Sequence, residues 1–338
     1  MGDRHEEALK TFAEGTFIPA TPLALDAGRR FDEAAQRRLL HYYLEAGAGG
    51  VAVAVHTTQF RIRDPEIALL EPVLRVTAVE IDCFEAETGR AVVRIAGACG
   101  PTEQAVAEAE LARRHGYDAV LLSPGGLRAY DEDELLARTR AVAAVLPVIG
   151  FYLQPSVGGR ALSYEYWQRL CETPNVIGIK CASFDRYSTI DVIRAAALST
   201  RAEEITLYTG NDDNIVVDLL TPYRFTAGGR TVTKRFAGGL LGHWAVCTRT
   251  AIEIFRELKR TSQISPDYLR LAAEVTDFNA AVFDVRNGFR GCIPGVHEVL
   301  RRQGLLEGIW CLDPEETLSE GQGAEIERVM EMYPHLCD

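Results

Sequence analysis

Short apolar runs alternate with amphipathic stretches over the first three quarters of this chain, and that alternation restricts the fold more than any other feature. The runs fall at 16–22, 50–56, 91–98, 119–123, 147–153, 175–181 and 204–209, with an eighth near 236–245. Between them, apolar residues recur at helical spacing over 32–45, 65–87, 103–115, 131–145, 164–172 and 189–197. Asp131 with Glu134 has the form of a capping box at the start of one such stretch. Strand–helix alternation of this kind predicts a parallel sheet covered by helices. Eight units within residues 1–245 match a (β/α)8 barrel, which typically takes ~250 residues. A doubly wound sheet is the rival, but no G-x-G-x-x-G or P-loop follows any of the runs.

After Trp244 the alternation stops, and 251–260, 266–283, 295–303 and a stretch after Ser319 read as helices. The expected organisation is therefore α/β: a TIM barrel over 1–245 and a helical C-terminal extension, 246–338, packed on it. The polar segment 221–233, with Gly228-Gly229 inside it, reads as a loop.

Composition narrows the class. A net charge of −12 lacks the basic footprint that nucleic acid requires. The eight cysteines include no C-x-x-C pair, so neither a disulfide framework nor a zinc knuckle is expected, and reduced thiols in a cytoplasmic protein are the default. Residues 1–10 are charged and contain no apolar core, so no secretory signal is expected. The most apolar stretch, 48–55, is too short to span a bilayer.

The chain has four lysines, at 10, 180, 234 and 259, and only Lys180 ends an apolar run. Desolvation at such a place lowers the pKa of an ammonium. A neutral amine at a strand end is a nucleophile suited to Schiff-base formation with a carbonyl. The alternative for an isolated strand-end lysine is a side chain that snorkels to water. In a barrel the chemistry sits at the C-terminal ends of the strands. There the sequence gathers His56, Thr57 and Thr58, then Tyr152, Lys180, Gly210 and Asn211, and finally His243. Taken singly, Tyr152 suits a strand, His56 and His243 suit a core, and Asn211 or Asp212 suits a helix cap. No strand-end His-x-His is present, so no metal site is expected.

Together these residues resemble the dihydrodipicolinate synthase/N-acetylneuraminate lyase family of class I aldolases. The likeness rests on Ile18-Pro19-Ala20-Thr21-Pro22, Thr57-Thr58, Tyr152-x-x-Pro155, and Val176-Ile177-Gly178-Ile179-Lys180, with 28 positions (180 − 152) from Tyr152 to Lys180. The resemblance implies that Lys180 forms an imine with pyruvate or another 2-oxo acid. It makes Tyr152 the proton relay, Thr57 its polarising partner and Thr58 the carboxylate binder. Gly210, Asn211, His56 and His243 are the other candidate substrate-binding residues, and no cofactor is implied. An aldehyde as second substrate and a homo-oligomer, dimer or tetramer, are also implied. The chain departs from the pattern as well: Gly125-Gly126 stand where the synthases have tyrosines, and Val157 stands where they carry an arginine, with Arg160 nearby. The expected function is a Schiff-base lyase or aldolase that does not belong to lysine biosynthesis. A dehydratase of the same family and a catalytically quiet metabolite-binding paralogue are the alternatives.

Overall fold

The computed structural model describes residues 2–338. Its strands are β1 (Phe17–Pro19), β2 (Gly50–Val53), β3 (Val93–Ala98), β4 (Ala119–Leu122), β5 (Val148–Leu153), β6 (Val176–Ala182), β7 (Thr206–Thr209), β8 (Tyr223–Ala227), β9 (Arg230–Lys234) and β10 (Phe236–Leu241). Its helices are α1 (Gly2–Glu14), α2 (Glu33–Ala46), α3 (Leu70–Thr88), α4 (Thr102–Arg114), α5 (Glu132–Ala143), α6 (Tyr164–Cys171), α7 (Arg186–Leu198), α8 (Ile215–Leu220), α9 (Thr248–Arg260), α10 (Pro266–Val282), α11 (Cys292–Arg302) and α12 (Gln322–Met332).

Eight parallel strands pair in the order β1-β10-β7-β6-β5-β4-β3-β2, and a parallel bridge from Ala20 to Ala52 brings the ends together into a barrel. All eight apolar runs in the sequence supply strands, and β1 to β7 are buried along nearly their whole length because helices cover the outer face. Two apolar cores result. One fills the barrel and includes Ile18, Ile95, Leu121, Ile149, Phe151 and Tyr208. The other lies between strands and helices and includes Leu39, Val120, Leu136, Trp167, Cys181 and Val192. Helix α1 plugs the N-terminal mouth: Phe12 stacks on Tyr208 with ring centroids 4.5 Å apart, and Tyr208 Oη donates to the Phe12 carbonyl at 2.8 Å.

Three features depart from expectation. The 221–233 segment is not a loop but an antiparallel hairpin, β8–β9, registered from Tyr223↔Lys234 to Ala227↔Arg230. Its turn is Gly228-Gly229, with φ of 55° and 76°. Two consecutive positive φ values are what a tight hairpin turn demands, and glycine supplies them without strain. Second, α9 packs on β1 and α2 and so completes the outer ring of helices, which puts the part beyond the ring at α10 onward. Third, Cys247 and Cys337 are joined by a disulfide across 90 residues, because the chain end returns to the start of α9. Cys83, Cys99, Cys171, Cys181, Cys292 and Cys311 are free. Among the described residues no helix is long and apolar enough to cross a membrane.

Candidate active site

Lys180 lies on β6 and is 8% exposed, at the floor of a pocket of about 570 Å³ that includes its open mouth. Its stem passes Gly210 so closely that a Cβ there would meet Lys180 Cε at 2.6 Å and Ala182 Cβ at 2.9 Å. The absent side chain of Gly210 is therefore what gives the lysine its path. Lys180 Nζ stands 4.5 Å from the centroid of the Phe151 ring. Burial pulls the ammonium below its ordinary range, against the opposing charge of Asp212.

Asp212, after β7, lines the same pocket. Its Oδ1 accepts the His243 backbone N–H at 3.4 Å, and its carbonyl accepts from Asn279 Nδ2 at 2.7 Å. Burial pushes its carboxyl above the usual carboxylate range, with Lys180 working in the opposite direction. His56 also lines the pocket, and burial together with the Lys180 charge lowers it to about 4, so its ring is neutral at pH 7.

The His56–Thr58 turn is held from several sides. Ala54 and Gln59 bracket it at φ of 60° and 67°, a conformation that costs a non-glycine residue ~1–3 kcal/mol. Hydrogen bonds hold it there: Thr57 Oγ1 donates to the Ala20 carbonyl at 2.8 Å, Thr58 Oγ1 donates to the Thr21 carbonyl at 2.7 Å, and Gln59 Oε1 accepts the Leu312 N–H at 2.6 Å. Thr57 reaches the pocket, whereas Thr58 is fully buried behind it.

Other expected residues are placed elsewhere. Tyr152 does not line the pocket. It packs outward, 5.1 Å from Trp167 of α6, and Thr57 donates to a backbone carbonyl rather than to the Tyr152 phenol. The cause is register. At the start of β5, Val148 pairs with Val176, an offset of 28 (176 − 148); from Ile149↔Gly178 onward the offset is 29 (178 − 149). This one-residue irregularity sets Phe151 opposite Lys180 and Tyr152 opposite Cys181. Along β5 the alternation is unbroken, with Val148 and Tyr152 outward and Ile149, Phe151 and Leu153 inward; the extra residue, Ile177, lies on β6 and turns Lys180 to the inner face, opposite Phe151 rather than Tyr152. Asn211 is fully buried beside the pocket, where it donates to Asp218 Oδ2 at 2.9 Å and accepts from the Phe184 N–H at 3.1 Å. His243 is buried against Phe278 and touches the site only through its backbone. Arg160 Nη1 donates to the Leu127 and Tyr130 carbonyls instead of entering the pocket.

The upper wall comes from residues the sequence did not single out. Phe184 follows β6, while Phe283, Phe289 and Cys292 belong to the C-terminal part. Phe184 and Phe289 pack at 5.7 Å, and both hold positive φ, 52° and 67°. A strand-end carboxylate in Gly210-Asn211-Asp212-Asp213 was the visible signal for Asp212. The wall had no local signal, because it is formed by residues about a hundred positions apart. Two nearby aromatics lie outside the wall: Phe60 stacks edge-on to His56, and Trp244 lies on Phe17 in the core.

The buried lysine amine at a strand end, inside a (β/α)8 barrel, agrees with what the comparisons return. The model of the dihydrodipicolinate synthetase family matches residues 15–241. The chain belongs to that family. A 4-hydroxy-tetrahydrodipicolinate synthase of Laribacter hongkongensis is 28% identical over 202 residues, 59% of this chain and 64% of that protein. The protein named probable 5-dehydro-4-deoxyglucarate dehydratase 2 of Streptomyces coelicolor is 30% identical over 171 residues, 50% and 48%. The matched stretch thus spans less than two thirds of either relative. Among solved structures, dihydrodipicolinate synthase from Oceanobacillus iheyensis superposes with a TM-score of 0.75 at 16% identity, covering 96% of this chain and 99% of that one. N-acetylneuraminate lyase from Fusobacterium nucleatum gives 0.72 at 16%, covering 95% and 99%. At such identities the structures establish the shared barrel; the family match establishes the kinship to Schiff-base lyases.

Proposed function

We propose that this protein is a Schiff-base-forming lyase that acts on pyruvate or a close 2-oxo acid through Lys180, with a bulky, weakly polar aldehyde as the second substrate. The observation that carries the reading is a single amine, shielded from water and shifted toward its neutral form, facing a pocket walled by phenylalanines. The neutral amine attacks the keto carbon, and the imine that follows draws electrons from the neighbouring carbon. Thr57, the one threonine of the pair that lines the pocket, is the candidate for orienting the acid.

Two features argue against aspartate semialdehyde as the partner. Among the described residues no arginine lines the pocket, and Val157 stands on its wall. A carboxylate buried there would lose hydration without gaining a partner. Phe151, Phe184, Phe283 and Phe289 instead offer apolar area to an aromatic or aliphatic group. Similarity to the Streptomyces coelicolor protein supports a second reading, a dehydratase that expels water from a 2-oxo sugar acid through the same imine. A homo-oligomer also fits this reading, since Tyr187, 84% exposed, and Ile190 leave an apolar patch on α7.

The test is borohydride trapping. With pyruvate, a single reduced adduct should map to Lys180, and Lys180→Arg should remove it while the fold persists, because arginine stays protonated. An adduct on Lys234, or none with any 2-oxo acid, refutes the assignment. Turnover assays with pyruvate and a panel of aldehydes decide the partner: efficient condensation with aspartate semialdehyde alone would return the protein to the lysine pathway.

A further inference from the structure

Imine chemistry needs a group that shuttles protons beside the amine, and the side chain expected to do so, Tyr152, faces the outer core. The ionisable side chains that line the pocket are His56, Lys180, Asp212 and Cys292. Burial holds the Cys292 thiol too high to release its proton near neutrality, and His56 is too weak a base to hold one. Asp212 is left, just past the end of β7, the strand next to that of Lys180, with its carboxylate anchored by the His243 N–H and its backbone by Asn279. Among the described residues no carboxylate comes within the 4.0 Å ion-pair distance of Lys180 Nζ, and Lys180 and Asp212 both line the same pocket.

We infer that Asp212 is the proton-transfer residue of this site, in the place where a tyrosine was expected. The inference rests on the Schiff-base reading of Lys180. The proton balance closes with this one carboxyl. The Lys180 amine bonds to the keto carbon while protonated Asp212 gives its proton to the carbonyl oxygen. The new ammonium returns a proton to Asp212. Asp212 protonates the hydroxyl, water leaves, and the nitrogen lone pair forms the iminium. The Asp212 carboxylate then takes a proton from the carbon next to the imine, giving the enamine and restoring the acid. Burial of both groups, each opposing the other's shift, favours a pair that shares one mobile proton.

The experiment separates imine formation from carbon deprotonation. Pyruvate in deuterated buffer is followed by NMR for loss of its methyl protons, and in parallel by borohydride trapping, for wild type, Asp212→Asn, Asp212→Glu and Tyr152→Phe. Asp212→Asn should be trapped on Lys180 only after long incubation, and once the imine has formed it should exchange at least ~100-fold more slowly than wild type, in line with the ~10²–10⁴-fold worth of a positioned acid or base. Asp212→Glu should recover part of the exchange, which a merely structural role would not allow. Tyr152→Phe should change exchange less than about threefold. Exchange within threefold of wild type in Asp212→Asn, or its collapse in Tyr152→Phe, overturns the proposal. Failure of wild type to form any adduct would instead sink the Schiff-base reading, and this proposal with it.

Discussion

The floor and the roof of the pocket are built by different means. The floor is polar and strand-borne: Lys180, Asp212, Thr57 and His56 sit at or just past the ends of β2, β6 and β7, within the 15–241 span of the family match. The roof is apolar: Phe283, Phe289 and Cys292 lie beyond that span and reach the site from the C-terminal part. On the floor, Thr57 is fixed by the Ala20 carbonyl just past β1, and Asp212 by the His243 N–H and by Asn279 of α10. The roof loop is fixed by Asp284, whose Oδ2 accepts the Gly291 N–H at 2.9 Å and the Ser319 hydroxyl at 2.5 Å. The difference is one of origin: the pocket's polar groups all come from one stretch of chain, while part of its apolar wall is brought in from another.

That difference can be probed experimentally. Among changes that leave Lys180 and Asp212 in place, the largest effect is expected from Gly210→Ala. The added methyl must displace the lysine stem or the Ala182 side chain, and a shift near 1 Å typically costs ~10²-fold in rate. Imine formation should fall by about that factor at unchanged secondary structure; a normal rate would show that the floor tolerates slack. Next comes the double change Phe283→Ala with Phe289→Ala. Trapping of pyruvate should survive, whereas discrimination between aromatic and small aldehydes should drop by roughly 10-fold or more. Equal loss of trapping would dissolve the distinction between the two regions.

The smallest effect concerns acid. His297 of α11 is 1% exposed, and burial lowers it from 6.5 to about 4. In the window between those values the unfolded chain binds a proton that the folded chain refuses, so stability falls as pH drops from about 6.5 toward about 4 and is steady below. His297→Gln should remove a few degrees of that acid-side fall in melting temperature. An unchanged acid limb would assign the loss to His56 and His243 alone, which shift in the same direction.

The barrel was legible because apolar period and length fix strand and helix before any contact is known, and Lys180 was legible because a charge in an apolar run is costly. The Tyr152 face was not. Its spacing from Lys180 is right for the family, but which residues share a face depends on register, and the extra residue on β6, Ile177, puts Lys180 inward while Tyr152 stays outward on β5. The cysteine pair escaped for a similar reason, since no short spacing marks partners 90 residues apart. Asp212 was read as a helix cap because only the folded barrel turns it toward the β6 lysine.

The Cys247–Cys337 bond has a topological consequence for the roof. It turns residues 247–337 into a covalently closed ring that contains Phe283, Phe289 and Cys292. A protease that cuts this ring once cannot shed a fragment: the severed tail stays tethered to the barrel until a reductant opens the bond. Under oxidising conditions the nicked protein therefore remains one covalent molecule, and reduction followed by denaturation releases the tail.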